Sequence, residues 1–106
     1  MKKIFKNIMV SKITNSARGQ LCTVRIPQVC NGNSETTVLA HLSGVRFKHG
    51  MGKKCNDLHA AYSCSSCHDA IDGRVKTQFT KDELMLWHLQ GVIETQIILI
   101  EKELLW

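Results

Sequence analysis

Cys64-Ser65-Ser66-Cys67-His68 is the stretch of this sequence whose residue types and spacing most directly suggest chemistry. Two cysteines three positions apart can bind one metal ion from a single turn of the chain, and an imidazole follows them directly. A second pair, Cys22 and Cys30, lies upstream on the two sides of a hairpin-like excursion. The turn dipeptide Asn31-Gly32 follows that pair, so both sulfurs can turn inward.

Four thiolates in two pairs predict a closed, tetrahedral structural zinc site made by Cys22, Cys30, Cys64 and Cys67. Such a site would join the first excursion to the start of a helix predicted from Cys67 through Ile71. In a chain of 106 residues, the binding energy of the metal would also be folding energy. The alternative is four free thiols. The fifth cysteine, Cys55, is left outside the predicted site.

The string Cys64-x-x-Cys67-His68 also matches the attachment motif of c-type haem. Covalent haem attachment requires export and a distal ligand. No signal peptide is visible, and a second cysteine pair is present, so the sequence favours zinc over haem.

His41 and His68 are the further candidates for chemistry. Residues 36–41 are β-branched and apolar, which predicts a strand ending at His41, while His68 begins a helix. If zinc joins these elements, both imidazoles can face one cleft. One would bind a hydrolytic divalent ion, and the other would take a proton from water. The alternatives are that His68 is a zinc ligand or a solvated neighbour, and that His41 only ends a strand.

The remaining segments predict the elements that position these groups. Residues 1–20 are basic and predict a short helix or a frayed arm, while residues 22–27 alternate and stop at a proline, as a short edge strand does. Residues 60–63 predict another strand. Residues 43–57 predict a loop that either contacts phosphates or is merely solvated, through Arg46, Lys48, Lys53 and Lys54.

A long C-terminal helix is predicted from the capping box Thr80 and Glu83, with residues 81–104 as its extent. Apolar residues three and four positions apart form one stripe, which predicts the core-facing side: Leu86, Leu89, Ile93, Ile97, Ile100 and Leu104. Other apolar residues lie off that stripe, which leaves a second buried face or a homodimer contact through this helix as alternatives: Met85, Trp87, Val92 and Ile98.

Length and charge narrow the class of protein. A chain of 106 residues accommodates one domain with a modest core, and its net charge of +5 favours a polyanionic partner such as nucleic acid. The apolar run at residues 97–100 is too short to span a bilayer. We therefore expect a cytoplasmic protein with no membrane partner.

Short strings across residues 16–74 are shared with a known family: Ala17-Arg18-Gly19, Val24-Arg25-Ile26-Pro27, Val29-Cys30-Asn31-Gly32-Asn33, Leu39-Ala40-His41, and Cys67-His68-Asp69 with Ile71-Asp72. The sequence resembles an HNH (His-Me finger) nuclease on a treble-clef zinc scaffold. More closely, it resembles the small YbcO-like nucleases of lambdoid prophages.

This resemblance implies an α+β fold, a small treble-clef or ββα-metal domain stabilised by zinc with a long C-terminal helix. Residues 1–106 would form one HNH-like domain, with an N-terminal arm or helix (1–20), a zinc-knuckle ββα core (21–74) and a C-terminal helix (80–105).

The resemblance also implies roles for individual residues. His41 would be the general base, and His68 would bind a catalytic Mg²⁺ or Mn²⁺ ion. Related enzymes carry a carboxylate directly before the base, where this sequence has Ala40, so the ion would rest on another carboxylate. Asp57 is the tentative further ligand, and Asp72 is the other candidate.

Two functions follow from these patterns. The first is a metal-dependent DNA endonuclease of phage or prophage origin, acting in recombination or DNA processing. The second is a non-catalytic zinc-binding module that recognises nucleic acid or a protein partner, and Ala40 is the feature that favours it.

Overall fold

Two short antiparallel strands and a long C-terminal helix form the centre of the fold. The computed structural model describes residues 12–42 and 57–104. Within them lie strand β1 (Val38–His41), strand β2 (Ala60–Ser63), helix α1 (Ser65–Ile71) and helix α2 (Lys81–Glu101). Residues 12–16 are helical, and short 3-10 turns occupy Ser34–Thr36 and Asp57–His59. The predicted α+β architecture, with a small sheet and a long C-terminal helix, is confirmed.

The hairpin places the end of β1 beside the start of β2. Ala40 pairs with Ala61 and His41 pairs with Ala60. All four residues of β2 are buried because α2 packs along this strand. The small side chain of Ala61, on the side of β2 that faces Gly91, lets α2 approach the sheet closely.

The edge strand predicted over residues 22–27 is wrong. This segment is an irregular loop in which Arg25 has a φ of 46° and Gln28 has a φ of 64°. The Ile26 carbonyl accepts hydrogen bonds from the amides of Val29 and Cys30, at 3.1 and 2.9 Å. Positive φ values turn the chain back on itself, so the segment forms a knuckle that presents its cysteines instead of extending along the sheet.

Helix α2 begins as predicted and ends three residues earlier than predicted. Thr80 and Glu83 form the reciprocal capping box at its start. At its end, Glu103 has a φ of 58°, and the amides of Glu103 and Leu104 bond the carbonyls of Ile100 and Leu99. This is a Schellman motif, in which a left-handed residue satisfies the last carbonyls and stops the helix.

The buried face of α2 is not the predicted apolar stripe. Leu86, Ile93, Ile97 and Ile100 are each between 51% and 59% exposed, and we call these four residues the exposed stripe. The side that faces the sheet carries smaller and more polar residues instead: His88, Gly91, Val92, Thr95 and Leu99. Hydrogen bonds explain why this side of α2 is the buried one. The Thr95 hydroxyl accepts from the Tyr62 amide and contacts the Thr23 hydroxyl, each at 3.0 Å.

Gly91 marks the closest approach between α2 and the rest of the chain. A Cβ atom placed there would lie 3.0 Å from the Thr23 hydroxyl oxygen, 3.1 Å from a Val24 methyl group and 3.2 Å from the Ala61 Cβ. The Thr23 hydroxyl also bonds the Gly91 carbonyl at 3.1 Å. Because three neighbours crowd this point, a side chain here would force them to shift, which favours glycine despite its low helix propensity.

Replacing Gly91 with alanine is expected to destabilise the protein. The overpacking cost of about 1–3 kcal/mol exceeds the helix-propensity gain of about 1 kcal/mol or less. The change should therefore lower the midpoint of thermal unfolding, measured by circular dichroism. Gln90→Ala, at an exposed neighbour, is the matched control and should leave the midpoint unchanged or raise it. An equal or higher midpoint for Gly91→Ala would contradict the close approach.

The exposed stripe is the surface that a second copy would cover if the chain dimerises through this helix, and that dimer stays a prediction. Among the helices of residues 12–42 and 57–104, none is both long enough and apolar enough to cross a bilayer.

Candidate functional site

Four cysteines meet at one point between the knuckle and helix α1. The sulfur atoms of Cys22, Cys30, Cys64 and Cys67 all lie within 4.8 Å of one another, and no disulfide joins them. The sulfurs of Cys64 and Cys30 are 3.8 Å apart. Zinc–sulfur bonds of about 2.3 Å would place the sulfurs of a tetrahedral site about 3.8 Å apart. The donor set and its spacing therefore fit a metal ion such as zinc.

Local backbone geometry aims these sulfurs inward. Cys64 is the N-cap of α1, and its sulfur accepts a hydrogen bond from the Cys67 amide at 3.4 Å. In the knuckle, the Arg25 amide makes the equivalent contact to the Cys22 sulfur at 3.5 Å. Amide donors three residues after a cysteine stabilise negative charge on the sulfur, which favours the thiolate that a metal requires.

Crowding of the thiols makes a cation necessary if all four are ionised. A hydrogen bond from Cys67 lowers the pKa of Cys22 to about 4, and the same contact, together with burial, raises the pKa of Cys67. Burial also raises the pKa of Cys30. The Cys22 thiolate is thus stabilised, while Cys30 and Cys67 hold their protons more tightly. A divalent ion bound by the sulfurs would allow all of them to lose a proton.

His41, at the end of β1, is paired with a carboxylate. Its Nε2 atom lies 2.6 Å from Oδ1 of Asp57, at the start of the 3-10 turn that leads into β2. The Thr14 hydroxyl donates to the other oxygen of Asp57 at 3.1 Å. The His41 side chain is 30% exposed and that of Asp57 only 12%. The imidazole is therefore accessible to solvent, while the Asp57 carboxylate is mostly buried and is bonded by Thr14.

His68 forms a second pair on helix α1. Its Nε2 atom lies 3.4 Å from Oδ2 of Asp72, the C-cap residue of that helix, four positions further along the chain. Arg74 approaches the same Asp72 oxygen at 3.5 Å and an oxygen of Asp69 at 3.3 Å. This histidine and carboxylate therefore share one helix face, and both are partly exposed.

His88, on α2, is a functional candidate that the sequence reasoning missed. It is buried, at 1% exposure, and its Nε2 atom lies 2.9 Å from the carbonyl oxygen of Ala40, directly before His41. Burial lowers the pKa of His88, which favours the neutral ring. The sequence offered one signal for a role of His88: it is a histidine inside an apolar helix, three residues before Gly91.

The structure thus arranges the predicted site residues in three groups. The four cysteines lie together, Asp57 lies against His41, and Asp72 lies against His68. Within residues 12–42 and 57–104, the cysteine quartet is the sole group of three or more possible ligands whose atoms lie within 4.8 Å. The predicted phosphate contacts and the odd cysteine lie outside the described residues: Arg46, Lys48, Lys53, Lys54 and Cys55.

The fold and these groups define a small α+β protein built around a cluster of four cysteines that could hold a metal ion. Residues 11–104 match the family described as "Putative nuclease YbcO". The protein of that name from Escherichia coli K12 is 43% identical over 98 residues, which cover 88% of this chain and 95% of the relative. A protein of the same name from Enterobacteria phage 82 matches to the same extent.

A solved structure shares the fold as well. It is described as "a putative bacteriophage protein from Escherichia coli", is 41% identical, and superposes with a TM-score of 0.66 over 83% of this chain and 95% of its own. This chain therefore belongs to the YbcO family.

Proposed function

We propose that this protein is an HNH-type, metal-dependent DNA endonuclease of phage or prophage origin that hydrolyses phosphodiester bonds. Its place of action would be the cytoplasm of the bacterial host, in recombination or DNA processing. The observation that carries the proposal is the His41–Asp57 pair, with 2.6 Å between the ring nitrogen and the carboxylate. The relatives' name as nucleases supports it.

His41 would act as the general base. If Nε2–H donates to Asp57, the other ring nitrogen is left without a proton and can accept one from water. Asp57 would fix this tautomer and stabilise the imidazolium that forms, and Thr14 holds Asp57 in place. The contact with His41 supports an orienting role for Asp57 in place of the ligand role that the resemblance suggested.

His68 and Asp72 would hold the catalytic divalent ion, Mg²⁺ or Mn²⁺. An imidazole and a carboxylate on one face of α1 suit such an ion, with water and a substrate phosphate as its other ligands. When bound, the ion would supply stabilisation of the charge on the phosphorane and on the leaving 3′ oxygen. Asp72 would thereby take the place of the carboxylate that is absent at Ala40.

The zinc site and His88 would position these groups. Zinc bound by the four cysteines would fix the start of α1, which carries His68, against the knuckle. The hydrogen bond from His88 would fix the Ala40 carbonyl, and with it the backbone that carries His41. The cysteine cluster would then position His68, and α2 would position His41.

A non-catalytic zinc-binding module for nucleic acid or a protein partner is the second candidate. Ala40 at the position of the expected carboxylate favours it. Within the described residues, His68 and Asp72 also have no third carboxylate, cysteine or histidine close enough to complete a group of three. A catalytic ion would therefore depend on water and on the substrate for most of its ligands.

Cleavage assays separate the two candidates. The purified protein is incubated with supercoiled plasmid and with a branched DNA junction, in Mg²⁺, in Mn²⁺ or in a chelator too weak to remove structural zinc. The endonuclease nicks or cuts at least one substrate in the presence of a divalent ion. A zinc-loaded protein that leaves both substrates intact with either ion would contradict the nuclease and favour the binding module.

Asp57→Asn tests the orienting role. The change keeps the size of the side chain and removes its charge, so kcat should fall about 10- to 100-fold, because the base loses its fixed tautomer. The concentration of Mg²⁺ or Mn²⁺ that gives half-maximal cleavage should stay the same.

Two further variants serve as controls for this result. Thr14→Val removes only the hydroxyl that donates to Asp57, and should cost a few-fold in kcat by the same route. Asp72→Asn should raise the half-maximal ion concentration. If Asp57→Asn instead raised that concentration at little cost in kcat, Asp57 would be a metal ligand.

A further inference from the structure

A pocket lies directly beside the proposed site and shares Asp72 and His88 with it, while the rest of its lining has no role in the chemistry described above. It occupies about 660 Å³ between the end of α1, the segment that follows it and the first turns of α2. It is joined to both histidine pairs, since Asp72 and His88 line it. Asp72 contacts His68, and His88 bonds the carbonyl before His41.

The lining of this pocket combines an apolar part with cations. Ile71, Val75, Leu84, Met85 and the half-buried ring of Phe79 supply the apolar surface. Phe79 is itself supported by Trp87, edge to face, with ring centroids 4.7 Å apart. Lys76 and Lys81 line the pocket and are exposed, while the Arg74 guanidinium lies 3.5 Å from the Asp72 carboxylate and offsets its charge.

These features match the chemistry of one nucleotide. A flat apolar base suits the surface made by the aliphatic side chains and Phe79, and a phosphate suits the two lysines. The volume falls within the usual range for small-ligand pockets, about 300–1,000 Å³. A base that is paired and stacked inside a continuous duplex cannot enter such a pocket unless it leaves the stack.

We infer that this pocket receives an unpaired nucleotide of the DNA substrate, next to the phosphate that is cut. The inference rests on the proposed function and narrows it, because the substrate then has an unpaired nucleotide near the cleavage point, as single-stranded and branched DNA do. In such DNA the nucleotide is already unpaired, so the free energy of taking it out of a duplex is not required. Binding to it should therefore be stronger than binding to duplex of the same length, by about 10-fold or more.

Binding is measured by fluorescence anisotropy with a short labelled single strand and with the same strand annealed to its complement. The zinc-loaded protein is used without Mg²⁺ or Mn²⁺, so that no cleavage is needed. Val75→Trp would place an indole at the pocket from a side chain that is 48% exposed, and should abolish the preference for the single strand. Circular dichroism verifies that the variant remains folded.

Lys76→Glu tests the same pocket without filling it, and Lys102→Glu is its matched control. Both variants change the net charge equally, but Lys102 lies at the far end of α2, away from this pocket. Lys76→Glu should weaken single-strand binding by about 10-fold, and Lys102→Glu only by the smaller, general effect of charge. Equal effects of the two variants would overturn the inference, as would equal binding of single strand and duplex by the wild type.

The outcomes separate this inference from the proposed function. Cleavage of DNA without a preference for unpaired nucleotides would leave the endonuclease standing and remove the role of the pocket. A preference that is lost in Val75→Trp, in a protein that cuts nothing, would keep the pocket and overturn the endonuclease.

Discussion

His41→Ala is expected to abolish DNA cleavage while leaving the fold and the metal centre intact. Removing a general base costs about 10²- to 10⁴-fold in rate, so nicking of supercoiled plasmid should fall to the background of the assay. The side chain of His41 is 30% exposed and lies at the end of β1, so its loss opens no cavity in the core. Zinc content, measured by mass spectrometry, and the thermal midpoint should match those of the wild type.

Two further measurements distinguish a base from a structural residue. His41→Gln keeps a side-chain N–H that can donate to Asp57 but offers no nitrogen that accepts a proton, so it should be as inactive as His41→Ala. Added imidazole should restore part of the activity of His41→Ala, since it can occupy the vacated space and accept the proton. Undiminished cleavage by both variants would remove His41 from the mechanism, and with it the orienting role of Asp57.

The features that the sequence predicted correctly depend on residues close together in the chain. The capping box at Thr80 and Glu83 needs only a spacing of three. The short helix predicted from Cys67 is α1, which begins two residues earlier, at Ser65, because the Cys64 sulfur accepts the Cys67 amide and caps the helix. The clustering of the pair Cys22 and Cys30 with the pair Cys64 and Cys67 joins segments that are far apart in the chain. It was predictable because the chemistry of zinc demands four such ligands.

The buried side of α2 could not be predicted in this way. The apolar residues at regular spacing point to one side, yet the sheet is covered by the side with Gly91, Thr95 and His88. Backbone contact decides this choice: glycine allows the close approach, Thr95 satisfies the Tyr62 amide, and His88 satisfies the Ala40 carbonyl. Hydrophobic periodicity contains no information on those partners, because they lie more than 30 residues away.

The pairing of His41 with Asp57 depends on the register of the hairpin. These residues are 16 positions apart, and the segment between them was predicted only as a loop. They meet because His41 pairs with Ala60, which brings the turn before β2 to the end of β1. The resemblance to the HNH nucleases suggested His41 as the base, and Asp57 was only a tentative metal ligand beside Asp72. The distance between them is what suggests the orienting role.

Loss of the metal centre is expected to have the largest effect on stability. Cys67→Ser replaces a fully buried sulfur that lies among the other three with an oxygen that is a poor zinc ligand. Structural zinc contributes about 10–16 kcal/mol of binding energy in small domains, which is comparable to the whole stability of a small protein, about 5–15 kcal/mol. The variant should therefore be unfolded and free of zinc, measured by far-ultraviolet circular dichroism and by metal analysis.

Cys55→Ser is the matched control for this prediction, because it makes the same chemical change at the cysteine that was predicted to lie outside the site. It should retain one zinc ion per chain and the wild-type thermal midpoint. A strong chelator should unfold the wild type and Cys55→Ser alike, and added zinc should refold both. If Cys67→Ser kept the thermal midpoint and the metal content of the wild type, zinc would not be bound by the four sulfurs. They would then be a cluster of free thiols, and packing alone would position α1. His68 would then lie on a helix end held by no metal, and the case for a catalytic ion beside it would weaken accordingly.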